Sequence, residues 1–248
     1  MFIDLLPRLW RCARGTRLQT RYLVLTDVPA LLALEHDKWE PNQAASEAML
    51  RQRIAAHPHL CIGTFCPRTG KALASLFMRP INPAIFTGPT RWELTANLSA
   101  DNVLHRQTHS LFGISLSSNH AAATDAIFRF FYPRALKAGW RDVYLGSPMP
   151  GFRRARELEP ELSAWEYVHR KKKFHAGEPA DPQLSYYYGK GFRQLVSIQQ
   201  DYFPHAPSLD FGVILRRGIP LSQPAKLWQR TPLPVITSMS AMLFELVR

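Results

Sequence analysis

Leu111-Phe112-Gly113-Ile114-Ser115-Leu116-Ser117-Ser118-Asn119-His120-Ala121-Ala122-Ala123-Thr124-Asp125-Ala126-Ile127 reads as an apolar strand that feeds into a helix. The helix runs on through Phe128, Phe130, Phe131 and Ala135 to a stop at Gly139, and a second apolar strand, Val143-Tyr144-Leu145, follows. Strand, helix and strand at this spacing form a βαβ unit. The helix amino terminus inside it is a natural anion seat, because its first N–H groups have no partner within the helix. Glycine is the usual device that lets such N–H groups approach a phosphate. None lies between Gly113 and Gly139, and Asp125 stands where a phosphate would rest, so pyrophosphate is not expected to be the main grip at this junction.

Outward from this unit the chain alternates strand and helix signals. Leu18 to Leu25 reads as a first strand, and Thr26-Asp27-Val28-Pro29 as a helix start with an early proline. That helix continues through Leu31, Leu32 and Leu34 to Trp39, and a second spans Ala44 to Ala55 with Asn42 as its capping candidate. Leu60 to Phe65 and Ala72 to Met78 form a hairpin around Pro67-Arg68-Thr69-Gly70. Asn82 to His109 is an irregular excursion over the sheet. After the βαβ unit come a loop, Gly146 to Phe152, a charged helical insertion from Arg153 to Phe174, and a short helix from Gln183 to Lys190 that opens at Asp181-Pro182 and stops at Gly191. Strands from Phe192 to Ile198 and from Leu209 to Leu215 close the order β-α-α-β-β-β-α-β-α-β-β.

The chain has 248 residues, 46% of them hydrophobic, enough to bury a full core. Its apolar runs fall short of the roughly 20 residues needed to span a bilayer, so no membrane is expected. Residues 1–17 lack the long apolar centre of a secretory signal. Cys12, Cys61 and Cys66 give neither metal-ligand spacing nor a disulfide framework; no metal is expected, and a reducing cytoplasm is the simplest compartment. A formal charge of +12 suits an acidic partner, be it nucleic acid, an anionic membrane or an acidic carrier protein. Compositional bias toward arginine accounts for it equally well, since only Arg170-Lys171-Lys172-Lys173 is a concentrated run.

The element order from Arg21 to about Arg217 resembles the GNAT superfamily of acyl-thioester transferases. The most specific part is Asp181-Pro182-Gln183-Leu184 through Tyr187, Gly191 and Phe192, then Tyr202-Phe203-Pro204 and Ser208-Leu209-Asp210-Phe211-Gly212-Val213. Within the superfamily, Trp39-Glu40-Pro41 with Arg53-Ile54, Arg79-Pro80-Ile81, Thr90-Arg91-Trp92-Glu93 and Gly146-Ser147 resemble the GNAT-like domains that load polyketide synthases. The resemblance implies an α/β (α+β) fold: a mixed, mostly antiparallel sheet, splayed into a V at its centre and flanked by helices. It implies one domain over residues 1–220, with 1–17 an N-terminal extension, 153–180 a helical insertion and 221–248 a C-terminal appendage. One departure is large. The family's phosphate loop carries Arg or Gln, then Gly, then Gly or Ala, where this chain has Ala121, Thr124 and Ala126. Asp125 adds a like charge to that loop, so free coenzyme A is expected to bind less well than in typical relatives, whereas the phosphopantetheine arm of an acidic acyl carrier protein has one phosphodiester and protein surface for its remaining contacts.

The resemblance also implies the site. Acyl-CoA or a phosphopantetheine thioester would lie as co-substrate along Ile114, Ser115, Leu116 and Ser117, with Thr124 and Ala126 at the phosphate loop. Ser147, His175 and Trp39 would form the reaction chamber of a malonyl-decarboxylating loading domain, with Arg193 steering the malonyl carboxylate and Tyr187 in the place where amine-acetylating relatives keep a general acid. Each has a plainer role open to it. Ser147 can cap the turn before Pro148, His169 rivals His175, Trp39 suits a core, and Tyr186 and Tyr188 blur the register of Tyr187. Loss of carbon dioxide from a malonyl thioester, acyl transfer to a carrier protein, or both, is the first functional expectation. Acylation of a small-molecule amine is the second, and a tRNA-dependent aminoacyl transferase or an inactive binding module are weaker ones; nucleic acid is not expected as a partner.

Overall fold

The computed structural model describes residues 18–39, 43–98, 108–173 and 175–246, without the side chains of 175, 176 and 241–246. The first half of the sheet is built from β1 (Gln19–Tyr22), β2 (Cys61–Phe65), β3 (Ala72–Pro80) and β4 (Ser110–Ser118), each antiparallel to the next. The second half is β5 (Asp142–Ser147), β8 (Gln194–Gln199) and β9 (Gly212–Gly218). Spatial order among the described residues is β1-β2-β3-β4-β5-β9-β8. The β4–β5 pair is parallel, as a βαβ crossover requires, and its neighbours are antiparallel. This is the mixed, mostly antiparallel sheet that the sequence implies.

Helices cover both faces. On one lie α1 (Val28–Lys38), α2 (Glu47–Ala56) and α3 (Trp92–Ala96), over a core that includes Leu31, Leu50, Phe77, Phe112 and Tyr202. On the other lies α4 (Ala121–Ala138), the crossover helix, whose Ala123, Ile127, Phe131 and Ala135 recur at helical spacing and bury against Leu76 and Leu111. It ends at Gly139, whose φ of 82° is the left-handed C-cap conformation. Beside it, α5 (Phe152–Leu158), α6 (Ala164–His169) and α7 (Pro182–Gly189) pack on Val213 and Leu215. Asp181 caps α7 by accepting the Gln183 and Leu184 N–H groups.

Several boundaries differ from the sequence expectation. Ser46, not Asn42, caps α2, accepting the Met49 N–H at 3.3 Å; Asn42 lies outside the described residues. The 153–180 insertion is only partly helical. Helix α6 stops at His169, and the basic run continues extended into a hairpin, β6 (Lys171–Lys172) with β7 (His175–Pro179). Lys172 there meets Glu178 of β7 at 2.8 Å and the Ser185 hydroxyl of α7 at 2.7 Å, contacts that an uninterrupted helix of four adjacent cations would not provide. The tail folds as α8 (Ala225–Arg230) and α9 (Leu233–Leu246), and Trp228 and Ile236 join the α4 core. Lys137 fixes the tail by donating to the carbonyls of Gln229 and Thr231.

Asp27 does not cap α1 with its side chain; it closes the preceding turn instead. Both its oxygens accept from the Arg21 guanidinium at 2.7 Å, and one also takes the Val24 N–H. Burial alone would raise its pKa, but the Arg21 and Val24 hydrogen bonds prevail and hold it below the ordinary carboxylate value. A depressed folded-state pKa adds stability above the unfolded pKa, and that contribution is lost as pH falls through the folded one. Thermal melts of Asp27→Asn are therefore expected to lie below wild type at neutral pH, with the gap closing as pH drops below roughly 4.

Candidate functional site

The site begins where two strands part. The ladder between β4 and β5 runs from Ser110↔Asp142 to Gly113↔Leu145 and stops. Beyond it β4 continues to Ser118 paired only with β3, while β5 continues through Gly146 and Ser147 paired only with β9. On β4 the departure coincides with a bulge: Phe77 faces Ser115, Met78 faces Gly113, and Ile114 is the extra residue. A bulge bends its strand and re-aims the side chains that follow. It swings Ser115 and Ser117 toward α1 and α2 and leaves the β5-facing backbone edge of Ile114 to Ser118 without a strand partner, a slot suited to an extended ligand that pairs with main chain.

Side chains of α1 and α2 close one wall of this slot. Glu35 is 2% exposed and lies one helical turn before Trp39, so both project toward β4. The Trp39 indole Nε1 donates to Ser117 Oγ at 2.8 Å, and the Ser117 hydroxyl donates to Glu35 Oε1 in a short contact. Glu35 Oε2 accepts the Ala45 N–H at 3.2 Å. The relay therefore runs from indole to hydroxyl to carboxyl. Next along the wall is Arg53, 5% exposed, with its guanidinium 5.6 Å from the Phe77 ring centroid and 6.0 Å from that of Trp92. Burial lowers the Arg53 pKa, and the nearby Glu35 and Cys61 pull it back. The same burial pushes the Cys61 thiol up to about 12.

At the far end of β4 the crossover helix offers its N-terminus. Among the described residues, the N–H groups of Ala121 and Ala122 have no backbone or side-chain acceptor. The Thr124 hydroxyl donates to Ser118 Oγ at 2.8 Å, and Ser118 Oγ also accepts the His120 N–H. These bonds fix the glycine-free loop. Ala126 lies half-buried on the helix. The first turn of α4 contains no acidic residue; Asp125 falls in the second, where the helix dipole is already weak.

Among the described residues, no hydrogen bond or ring contact joins the other expected residues to the Trp39–Ser117 pair. Ser147, at the end of β5, is fully buried, and its hydroxyl donates to the Pro148 carbonyl at 2.8 Å, the turn contact that its position before a proline allows. Tyr187 is half-buried in the α7 core, edge-on to Tyr186 and Phe192; burial raises its pKa and a Gln183 hydrogen bond opposes that. Arg193 is exposed and lies 5.1 Å over the Tyr188 ring. His175 is on β7, with its side chain outside the described residues. His169 stacks on exposed Trp165 at 4.3 Å.

Glu35 and Arg53 are the wall residues that sequence reading did not select. The signal was available. Glu35 interrupts the apolar stripe Val28-Leu31-Leu34, and Arg53 stands on the buried face of α2 beside Leu50 and Ile54. A charged group on the apolar stripe of an amphipathic helix needs a partner in the core or a ligand.

No protein-family model matches the chain, and no curated protein matches it. Solved structures do. The chain is similar to the GphF GNAT-like decarboxylase in complex with isobutyryl-CoA, with a TM-score of 0.61, 24% identity, and coverage of 81% of this chain and 99% of that one. It is similar to the loading GNATL domain of CurA from Lyngbya majuscula, with a TM-score of 0.63, 18% identity, and coverage of 82% and 98%. A malonyl-CoA decarboxylase from Agrobacterium vitis gives a TM-score of 0.58 at 15% identity over 88% of this chain and 68% of that one. The chain has the GNAT fold.

Proposed function

We propose that this protein is an acyl-thioester enzyme that decarboxylates a malonyl thioester, transfers the resulting acetyl group to the phosphopantetheine of an acyl carrier protein, or both. The observation that carries the reading is the buried, polar wall of Ser117, Glu35 and Arg53, with Trp39 at its exposed rim, along the unpaired edge of the strand splay. The names of the solved neighbours support it, since they include a GNAT-like decarboxylase, a loading domain and a malonyl-CoA decarboxylase.

The chemistry is simple to balance. The bond from the malonyl α-carbon to its carboxylate breaks, its electron pair moves through the α-carbon onto the thioester oxygen, and carbon dioxide leaves. Donors preorganised around that oxygen stabilise the developing enolate, typically by a few kcal/mol each. Protonation at the α-carbon then yields the acetyl thioester. In the transfer step the carrier thiol gives up its proton, its sulfur attacks the acetyl carbonyl, and the first thiol departs with a proton. His175 is the assigned acid, because an imidazole titrates near working pH. Ser147 serves as an oxyanion donor by exchanging its bond to the Pro148 carbonyl for one to the thioester. The pantetheine arm pairs with the free edge of Ile114 to Ser117, and the Ala121 and Ala122 N–H groups receive its phosphate. A net charge of +12 favours encounter with an acidic carrier and predicts slower turnover at high ionic strength.

Intact-mass analysis after incubation with malonyl-CoA, and separately with malonyl carrier protein, tests the reading directly. The acyl group should lose the mass of carbon dioxide; a malonyl group left whole in both reactions removes the decarboxylase assignment. In the active reaction His175→Ala should slow turnover by about 10²- to 10⁴-fold. His169→Ala, altering a surface stack, should stay within about twofold. The reverse ranking would show that the acid comes from α6 rather than β7.

A further inference from the structure

We infer that Arg53 is the specificity determinant of this site, receiving the free carboxylate of a dicarboxylic acyl group such as malonyl. The inference rests on the acyl-thioester reading above. It starts from a buried cation that no anion bonds directly among the described residues. Arg53 is 5% exposed, yet among the described residues it forms no ion pair, and its guanidinium makes one hydrogen bond, a long one of 3.4 Å to Ser115 Oγ. The other buried or half-buried arginines on the sheet make closer bonds: Arg21 with Asp27, Arg216 with Asp142, Arg79 with the carbonyls of Thr95 and Asn97, and Arg217 with the carbonyl of Lys190.

The obvious counter-charge is near but engaged elsewhere. Glu35 is close enough to influence Arg53, but its two oxygens are taken by Ser117 and Ala45. Isolating a cation from water without a bonded anion costs several kcal/mol, so an aliphatic residue would serve a purely structural role better at this position. The rings of Phe77 and Trp92 and the Cys61 thiol complete the surroundings. They hold the guanidinium in place without neutralising it, and the planar fork stays available for a bidentate carboxylate.

Its position matches the need. Ser115 is two residues past the last β4–β5 pair, at the bulge where the slot opens. A thioester seated in the slot with its acyl group toward α2 places a β-carboxylate beside Arg53. Arg193, which the sequence suggests for this role, is on the surface over Tyr188.

Calorimetric titration of the full chain with amide-linked analogues of malonyl-CoA and propionyl-CoA tests this. Nitrogen in place of the thioester sulfur keeps both ligands from turning over, and the two acyl groups differ only in carboxylate against methyl. Wild type should bind the malonyl analogue roughly tenfold or more tightly than the propionyl one. Arg53→Met should abolish that preference while leaving propionyl affinity unchanged, and Arg53→Lys, which keeps the charge but not the fork, should restore part of it. A preference that survives Arg53→Met overturns the inference, as does an equal loss of both affinities or a wild type that binds both analogues alike. A wild type that binds neither analogue removes the acyl-thioester reading itself. Should Arg53→Met fail to fold, Arg53→Lys alone decides: unchanged discrimination refutes the bidentate carboxylate site.

Discussion

Gly212→Ala is expected to destabilise the fold by about 3 kcal/mol, a fall of roughly 6 to 12 °C in Tm for a chain of this size. The Tyr202 ring is fully buried and lies directly on the Gly212 backbone and on Gly146, so that a Cβ at either glycine would overlap ring atoms. The ring has nowhere to go. Its hydroxyl is tied to Thr95 Oγ1 at 2.9 Å, its N–H donates to the Asp210 carbonyl, and its own carbonyl accepts the Trp92 N–H at 2.7 Å. Gly146 is the first β5 residue beyond the last β4 pair, so Tyr202 props up one arm of the splay, and through Trp92 it also holds α3 against Arg53. Loss of thioester turnover should accompany the loss of stability. Gly88→Ala is the control, because a Cβ there meets nothing within 4 Å and its φ of −119° suits any residue. A Gly212→Ala protein that melts with wild type would mean that Tyr202 is not packed tightly onto the Gly146 and Gly212 backbone.

The same contacts show what a sequence can and cannot disclose about this fold. Gly139 and Gly191 were legible as helix stops because a left-handed cap favours glycine, and both adopt positive φ. Gly146 and Gly212 look identical to them in the sequence, but their role is close approach to a ring from a distant loop, which only the fold creates. The β4–α4–β5 unit was readable because its apolar pattern is local; the bulge at Ile114 was not, since it is a mismatch between two strands and belongs to neither alone. Lys171 to Lys173 misled because charge density suits an exposed helix as well as a hairpin, and the choice was made by partners on β7 and α7. The family pattern proposes Trp39 and Ser117 each as a site residue. Their bond to one another, across 78 positions of sequence, and its anchor at Glu35 could not.

That anchor gives the second large effect. Glu35→Leu strands the Ser117 hydroxyl and the Ala45 N–H in a buried setting, and at about 1–3 kcal/mol for each unsatisfied group the variant should lose about 2–6 kcal/mol of stability. Glu35→Gln should lose less, since its amide oxygen still accepts one of the two donors. Activity distinguishes an anchor for Trp39 from a merely buried acid. The Ser117 proton points at Glu35, which leaves a lone pair aimed at the Trp39 indole. In the Glu35→Gln variant the amide nitrogen competes for that lone pair, and the indole loses its fixed orientation. Trp39→Phe removes the same constraint from the other end, because a phenyl ring cannot donate. If Glu35 acts on the site through Trp39, the two substitutions share one loss, and a double-mutant cycle on kcat/KM for malonyl decarboxylation should show a coupling of about 0.5–3 kcal/mol. Strictly additive effects would separate Glu35 from Trp39 and reduce the relay to packing. At 39% exposed, Trp39 has water as an alternative partner for its Nε1, so Trp39→Phe by itself should cost little stability while it lowers turnover. A split of that kind marks a residue held for the reaction chamber rather than for the core.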